Sequence, residues 1–133
     1  MTMNITGRKD FLIELIEYRH PMNEILNYIN TFPTEESDDY VVLLTRAHLI
    51  SVLNRFLNGD LSAQQVEEWA DHIGFINEIG EEEGYFEKIR QTLISLAIMP
   101  IDGIWLTQKQ AREFIEKLQQ CKFNPNDRHH SYS

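Results

Sequence analysis

The spacing of apolar residues predicts a chain that is helical almost throughout. A first amphipathic stripe lies between Asp10 and Arg19 and consists of Phe11, Leu12, Leu15 and Ile16. Pro21 breaks the chain after this stripe and can occupy the first turn of a second helix. The apolar side of that second helix is formed by Ile25, Leu26, Tyr28 and Ile29.

The longest predicted helix runs from Asp39 to Asn58. Its apolar positions are Val42, Leu43, Leu49, Ile50, Leu53, Phe56 and Leu57. The dense start, YVVLL, also fits a short buried strand, but the length of the pattern and its continuation past Arg46 favour a helix. Gly59 fits the position after the helix end, where a left-handed backbone is needed.

Two strong helix start signals follow. Gln65 lies three residues after Ser62, and Gln110 lies three residues after Thr107, which is the pattern of a capping box. Each box is flanked by an apolar pair that can close as a staple, Leu61 with Val66 and Leu106 with Ala111. These signals predict one helix that ends at Gly74 and a last helix that runs to about Cys121.

Between these two helices the sequence predicts a loose connector, GFINEIG, and one more helix from about Glu82 to Met99. The residues of this helix that are predicted to face inward are Phe86, Ile89, Leu93, Leu96 and Ala97. Pro100 ends it.

The segments LSAQQVEEWADHI (61–73) and LTQKQAREFIEKL (106–118) match at a constant offset. Trp69 in the first corresponds to Phe114 in the second, and both are predicted to face the core. Two interpretations stay open: a duplicated helical hairpin, or two capped amphipathic helices that one physical rule has made alike.

The two segments differ in charge. The residue pairs that differ are Glu67 and Arg112, Asp71 and Glu116, and His72 and Lys117, of which only Asp71 and Glu116 carry the same charge. The first surface is therefore acidic and the second mixed to basic. The two segments share a helix start signal and an apolar pattern but differ in surface charge. This difference indicates that the charge serves a role outside the fold.

Together the patterns predict an all-α protein with one compact domain of about six helices over residues 1–123 and a mobile polar tail over residues 124–133. The 133 residues are enough to bury a core as a single domain. No apolar run approaches the roughly 20 residues that span a bilayer. The start, MTMNITGRKD, lacks the apolar core of a signal peptide, and the single Cys121 fits a reducing compartment, so the cytoplasm is the expected location.

Negative charge is concentrated between residues 56 and 87. This acidic segment contains no Lys or Arg and nine carboxylates: Asp60, Glu67, Glu68, Asp71, Glu78, Glu81, Glu82, Glu83 and Glu87. Its charge equals the net charge of −9 of the whole chain. A folded acidic face attracts a basic partner and repels nucleic acid and anionic membranes, so neither of these is an expected partner.

Catalytic and metal chemistry find no support in the sequence. Glu68 and His72 lie one helical turn apart, but a metal site needs three or four convergent ligands. No phosphate-binding glycine loop, nucleophile elbow or Cys–His constellation is present. The prediction is a protein that is not an enzyme, with no catalytic residues, no metal ligands and no cofactor.

RFLNGDLSAQQVEEWADHI, followed by a second helical block that ends in LTQKQAREFIEKL, resembles small acidic helical proteins of bacterial toxin–immunity loci. The nearest class is the immunity proteins of contact-dependent growth inhibition systems and related polymorphic toxins. The resemblance covers roughly Leu53 to Leu118 and lies mostly in capping and core residues. It implies a cytoplasmic protein that binds a toxin domain, often a nuclease, and blocks its active site or its access to substrate.

The leading hypothesis is therefore an immunity protein that neutralises a cognate toxin domain with a basic surface, acting as a monomer or weak dimer. The predicted partner-binding residues are Glu67, Asp71, Glu78, Glu81, Glu82, Glu83, Tyr85 and Glu87. Tyr85, Phe75 and Ile76 are candidate apolar anchors, since a few buried residues usually dominate an interface; the alternative is that they pack in the core. The alternative function is a regulatory or adaptor domain that binds a partner's helix in an apolar groove.

Overall fold

The computed structural model describes residues 5–33, 40–99, 103 and 105–127. The described residues form a mostly helical domain with one small sheet, which confirms the predicted all-α class. The elements are α1 (Arg8–Glu17), α2 (Met22–Leu26), β1 (Val42–Leu44), α3 (Arg46–Leu57), α4 (Ala63–Gly74), β2 (Ile79–Glu81), α5 (Phe86–Ile98) and α6 (Gln108–Gln120). Within the described part of the chain, none of the helices is both long enough and apolar enough to cross a bilayer.

The two predicted capping boxes are confirmed at the starts of α4 and α6. The backbone N–H of Gln65 donates to Ser62 Oγ at 3.1 Å, and the backbone N–H of Ser62 donates to the side-chain Oε1 of Gln65 at 2.8 Å. Thr107 and Gln110 repeat this exchange at 3.1 and 2.9 Å. Each box satisfies amides that would lack partners in the first turn, which is why both helices begin where the sequence predicts.

The prediction of one helix from Asp39 to Asn58 is wrong at its start. Val42–Leu44 is a strand, as the YVVLL alternative proposed, and α3 begins only at Arg46. β1 pairs in parallel with β2, with Val42 opposite Ile79. The connector GFINEIG therefore leads into a strand, and Asp39 itself lies outside the described residues.

The same pairing explains why α5 begins four residues later than predicted. The Glu82 amide donates to the Leu44 carbonyl at 2.9 Å, so this residue extends the strand ladder instead of opening a helix. Gly84 then takes a φ of +85°, a left-handed conformation that favours glycine and turns the chain into α5. Pairing with a distant strand outweighs the local helical pattern here.

The order strand–helix–helix occurs twice, as β1–α3–α4 and β2–α5–α6. Burial repeats along the two units when residues 46–57 are aligned with residues 86–97. Each aligned pair shares the same degree of burial (buried, partly buried or exposed), except Ile50/Arg90 and Phe56/Leu96. The most extensive helix pairings are α4 with α5 and α3 with α6, and exchange of the two units converts one pairing into the other. This arrangement is the one that a duplicated unit would produce, and the related sequence segments fall on α4 and α6.

The core lies between these units and α1. Trp69 of α4 is fully buried, as predicted, and its Nε1–H donates to the Leu15 carbonyl of α1 at 2.7 Å. Its counterpart Phe114 is partly buried and packs against the core. The predicted stripe of α1 is also confirmed, because its four apolar residues are all buried.

Residues 124–127, the described part of the predicted polar tail, are hydrogen-bonded to the turn before α5. The Asn124 amide donates to the Gly84 carbonyl at 3.0 Å, and the Gly84 amide donates to the Asp127 carbonyl at 3.1 Å. The Asp127 carboxylate accepts from the Glu87 amide at 3.1 Å, which satisfies a free amide in the first turn of α5. Residues 128–133 lie outside the described part, and the mobility of the tail stays a prediction.

A third capping box, at the start of α3, uses a histidine. The Thr45 amide donates to His48 Nδ1 at 2.9 Å, which requires that nitrogen to be unprotonated. Burial lowers the pKa of His48 from its ordinary value near 6.5, although the charges of Glu17 and Glu82 oppose the shift. Between the lowered pKa and 6.5 the unfolded chain therefore binds more protons at this site than the folded chain.

We expect this box to make stability depend on pH. The contribution of His48 is complete above about pH 6.5 and is lost as pH falls through the lowered pKa, with a loss of about 1 kcal/mol, the usual value of a helix cap. Glutamine occupies the same position in the other two boxes, so His48→Gln should keep the cap and remove this pH dependence. Urea unfolding between pH 5 and 7.5 measures both proteins, and parallel curves would contradict the assignment.

Candidate functional site

Three carboxylates of the acidic segment are paired with arginines that lie outside it in sequence. Glu78 receives Arg8 of α1 through two guanidinium nitrogens, Nη2 at 2.6 Å and Nε at 3.0 Å. Both side chains are buried, with 9% and 8% of their surface exposed. The same guanidinium donates from Nη1 to the Ile29 carbonyl at 2.6 Å, so this ion pair ties α1 and the segment after α2 to the start of β2.

Glu81 and Glu82, at the end of β2, are held in the same way. Arg90 of α5 contacts the Glu81 carboxylate at 3.2 Å, yet burial raises the pKa of Glu81 because the Arg90 charge only partly offsets desolvation. Arg46 of α3 contacts the Glu82 carboxylate at 3.0 Å through Nε, and its amide donates to the same oxygen at 3.1 Å. Burial alone raises the pKa of Glu82, but these contacts bring it below its ordinary value.

Tyr85 is enclosed by contacts within the fold. The Arg46 guanidinium lies over its ring, 3.5 Å from the centroid, and the Phe123 ring meets it edge-on at 5.8 Å between centroids. Ile76 is partly buried against the core. Glu78, Glu81, Glu82 and Tyr85 thus have structural roles, and their part in partner binding stays a prediction.

The acidic surface that remains lies mainly on α4. Glu67, Glu68 and Asp71 occupy its outer side, and none of them has a Lys or Arg ion-pair partner among the described residues. Burial raises the pKa of Glu67, and repulsion from Asp71 and Glu68 raises it further, against the opposing effect of His72. Two more predicted residues, Glu83 and Glu87, are exposed near the start of α5. The α4 carboxylates therefore repel one another without a Lys or Arg ion pair among the described residues to offset the repulsion.

An apolar groove lies directly beside this acidic surface, between α4 and α5. Its open volume is about 170 Å³, and it is lined by Ala70, Asp71, Gly74, Phe75, Arg90, Leu93, Ile94, Ala97 and Ile98. Phe75 is 80% exposed, Ile94 52% and Ile98 45%, which is unusual for large apolar side chains that share one depression. Of the three predicted anchors, Phe75 is the one that points into open space.

Sequence reasoning missed the α5 side of this groove. Ile94 and Ile98 lie one turn apart on α5 and outside its inward stripe, so they were not selected as core residues. Their signal was present as apolar residues at positions where an amphipathic helix normally has polar ones. Gly74 also lines the groove, although the sequence identifies it only as a helix end.

No family model, curated protein or solved structure matches this chain. The surface is therefore interpreted from its own geometry. Among residues 5–33, 40–99, 103 and 105–127, no group of three His, Cys, Asp or Glu side chains converges as a metal site would require.

Proposed function

We propose that the protein binds and neutralises a cognate bacterial toxin domain with a basic surface, and that α4 carries the docking surface. The observation that supports this function is the cluster of mutually repelling carboxylates Glu67, Glu68 and Asp71 on α4, none of which has a Lys or Arg ion-pair partner among the described residues. A cationic partner would relieve this repulsion on binding, so the surface favours a complex over the free protein.

The comparison of α4 with α6 supports an external cause for this charge. The two helices have the same capping box and equivalent positions in the repeated unit. Arg112 of α6 stands at the position of Glu67, and Lys117 at the position of His72. The repeated unit therefore tolerates a basic residue at the position of Glu67, whereas Glu68 and Asp71 have acidic counterparts in Glu113 and Glu116. The excess negative charge of α4 over α6 is thus not needed to build the helix.

Neutralisation is tested by co-expression with a toxin. The toxin domain to be tested is the C-terminal domain of a large secreted protein, and its gene is expected directly upstream of the gene for this protein. Co-expression is expected to restore growth to cells that this domain arrests. Growth arrest that persists at equal expression of the two proteins, or the absence of a toxin gene at that place, would overturn the proposed function.

Charge reversal on α4 should slow association with that toxin domain. We expect Glu67→Lys with Asp71→Lys to lower the association rate constant at least about tenfold at low salt and to flatten its dependence on salt, because steering depends on opposite charge. Stopped-flow mixing at several salt concentrations measures this constant.

The matched control is Glu113→Lys with Glu116→Lys on α6, which changes the net charge equally on the related helix. Both of these residues are exposed. The control should leave the rate within about twofold of the parent. Equal slowing by both pairs would show that net charge, and not the α4 surface, governs the encounter.

A further inference from the structure

The groove between α4 and α5 has a counterpart between α3 and α6. This counterpart shows which residues the repeated fold itself requires at these positions. The α3–α6 pairing is equivalent to the α5–α4 pairing, and the burial of α3 and α5 agrees almost throughout. The three exposed apolar residues of the groove correspond to polar residues there: Ile94 to Asn54, Ile98 to Asn58 and Phe75 to Gln120.

The exposed apolar side chains are therefore not a requirement of the fold. Asn54, Asn58 and Gln120 are all exposed, and the helices that carry them pack as closely as their counterparts. Apolar groups exposed to water raise the free energy of the isolated protein relative to polar ones. Their concentration in one of the two equivalent grooves indicates that a partner covers them.

We propose that the α4–α5 groove receives the apolar face of an amphipathic helix of the toxin domain, with Lys or Arg residues beside that face. This inference rests on the proposed function and specifies the partner's contacting element. Ile94 and Ile98 are one turn apart, which matches the apolar spacing of a helix laid along the groove. Asp71 lines the groove and Glu67 lies one turn from it on α4, so the flank that meets α4 is expected to be basic.

Gly74 leaves the groove open at its α4 side. A Cβ added at Gly74 would meet no heavy atom within 4 Å, and its backbone is helical. Substitution there is therefore compatible with the fold, and a large side chain would fill the space that the partner's helix needs. This position offers a blocking variant and a matched small variant.

The first experiment uses a synthetic helical peptide of about five turns, with Leu at helical spacing and Lys along one flank of the Leu face, because the other flank meets α5, which carries Arg90. Fluorescence anisotropy is expected to show binding to the parent and to Gly74→Ala, and binding to Gly74→Trp at least about tenfold weaker. A peptide with Glu in place of Lys should also bind at least about tenfold more weakly to the parent. Equal affinity of the Lys peptide for the parent and Gly74→Trp, or no binding to the parent, would overturn the inference.

A second pair of variants distinguishes binding in the groove from non-specific binding to exposed apolar side chains. Ile94→Asn with Ile98→Asn introduces the residues found at the equivalent positions of α3 and should weaken peptide binding at least about tenfold. Leu43→Thr removes another exposed apolar side chain, on β1, and should leave binding unchanged. Equal loss with both changes would contradict a specific site.

The toxin assay distinguishes failure of this inference from failure of the proposed function. If Ile94→Asn with Ile98→Asn neutralises the toxin as well as the parent does, the groove is not the contact, and the proposed function survives. If the parent fails to neutralise, the proposed function falls. A parent dimer that Gly74→Trp converts to a monomer, measured by light scattering, would overturn the inference because a second copy would then occupy the groove.

Discussion

Replacing Trp69 with alanine is expected to lower the free energy of unfolding by about 3–5 kcal/mol. The indole is fully buried, lies 6.4 Å from the ring of Tyr18 between centroids at a tilt of 31°, and donates to the Leu15 carbonyl. Alanine leaves a cavity where α1 meets α4 and removes one of the two hydrogen bonds to the Leu15 carbonyl, which keeps the Tyr18 backbone amide as a donor at 3.2 Å. Urea denaturation followed by far-ultraviolet circular dichroism measures the change.

Two controls give this prediction its specificity. Trp69→Phe keeps most of the apolar volume and removes the hydrogen bond, so it should cost clearly less than alanine. Trp105 is 49% exposed, and Trp105→Ala should change stability by no more than about 0.5 kcal/mol. Similar losses from the two alanine variants would show that Trp69 is not central to the core.

Replacing Arg8 with methionine is expected to cost about 3–5 kcal/mol, because it leaves the Glu78 carboxylate buried without a counter-charge. The Ile29 carbonyl loses its donor in the same variant. Chemical denaturation near neutral pH measures the loss.

The double variant Arg8→Met with Glu78→Leu tests the cause of that loss. Replacing both members of a buried ion pair by apolar residues of similar size is often close to neutral, so the double variant should recover most of the stability. If the double variant is as unstable as Arg8→Met alone, lost packing and not an unpaired charge explains the effect. Both variants retain the acidic surface of α4.

Local features of the fold were predictable, and features that join distant residues were not. Ser62 and Thr107 mark helix starts because their partners lie three residues away. Val42–Leu44 was predicted as part of a helix because its partner strand begins 37 residues further on, at Ile79. Apolar periodicity describes a short segment by its neighbours and contains no record of the strand that will lie beside it.

The same distinction explains the charge of the acidic segment. A count along the sequence finds no arginine near Glu78, but Arg8 lies 70 positions earlier in the chain and contacts it directly. Arg46 lies 36 positions before Glu82. The sequence therefore predicted an acidic surface correctly for α4 but could not tell which carboxylates are neutralised within the fold.

Neither strand–helix–helix unit can complete the sheet alone, since each contributes one of its two strands. A half-length chain with a single unit would have to associate with an identical copy to pair its strand and to cover its helices. Joining two such units in one polypeptide makes that association intramolecular and independent of protein concentration. It also frees the two units to diverge, so that the α4–α5 side can acquire a recognition surface while the α3–α6 side keeps a polar exterior.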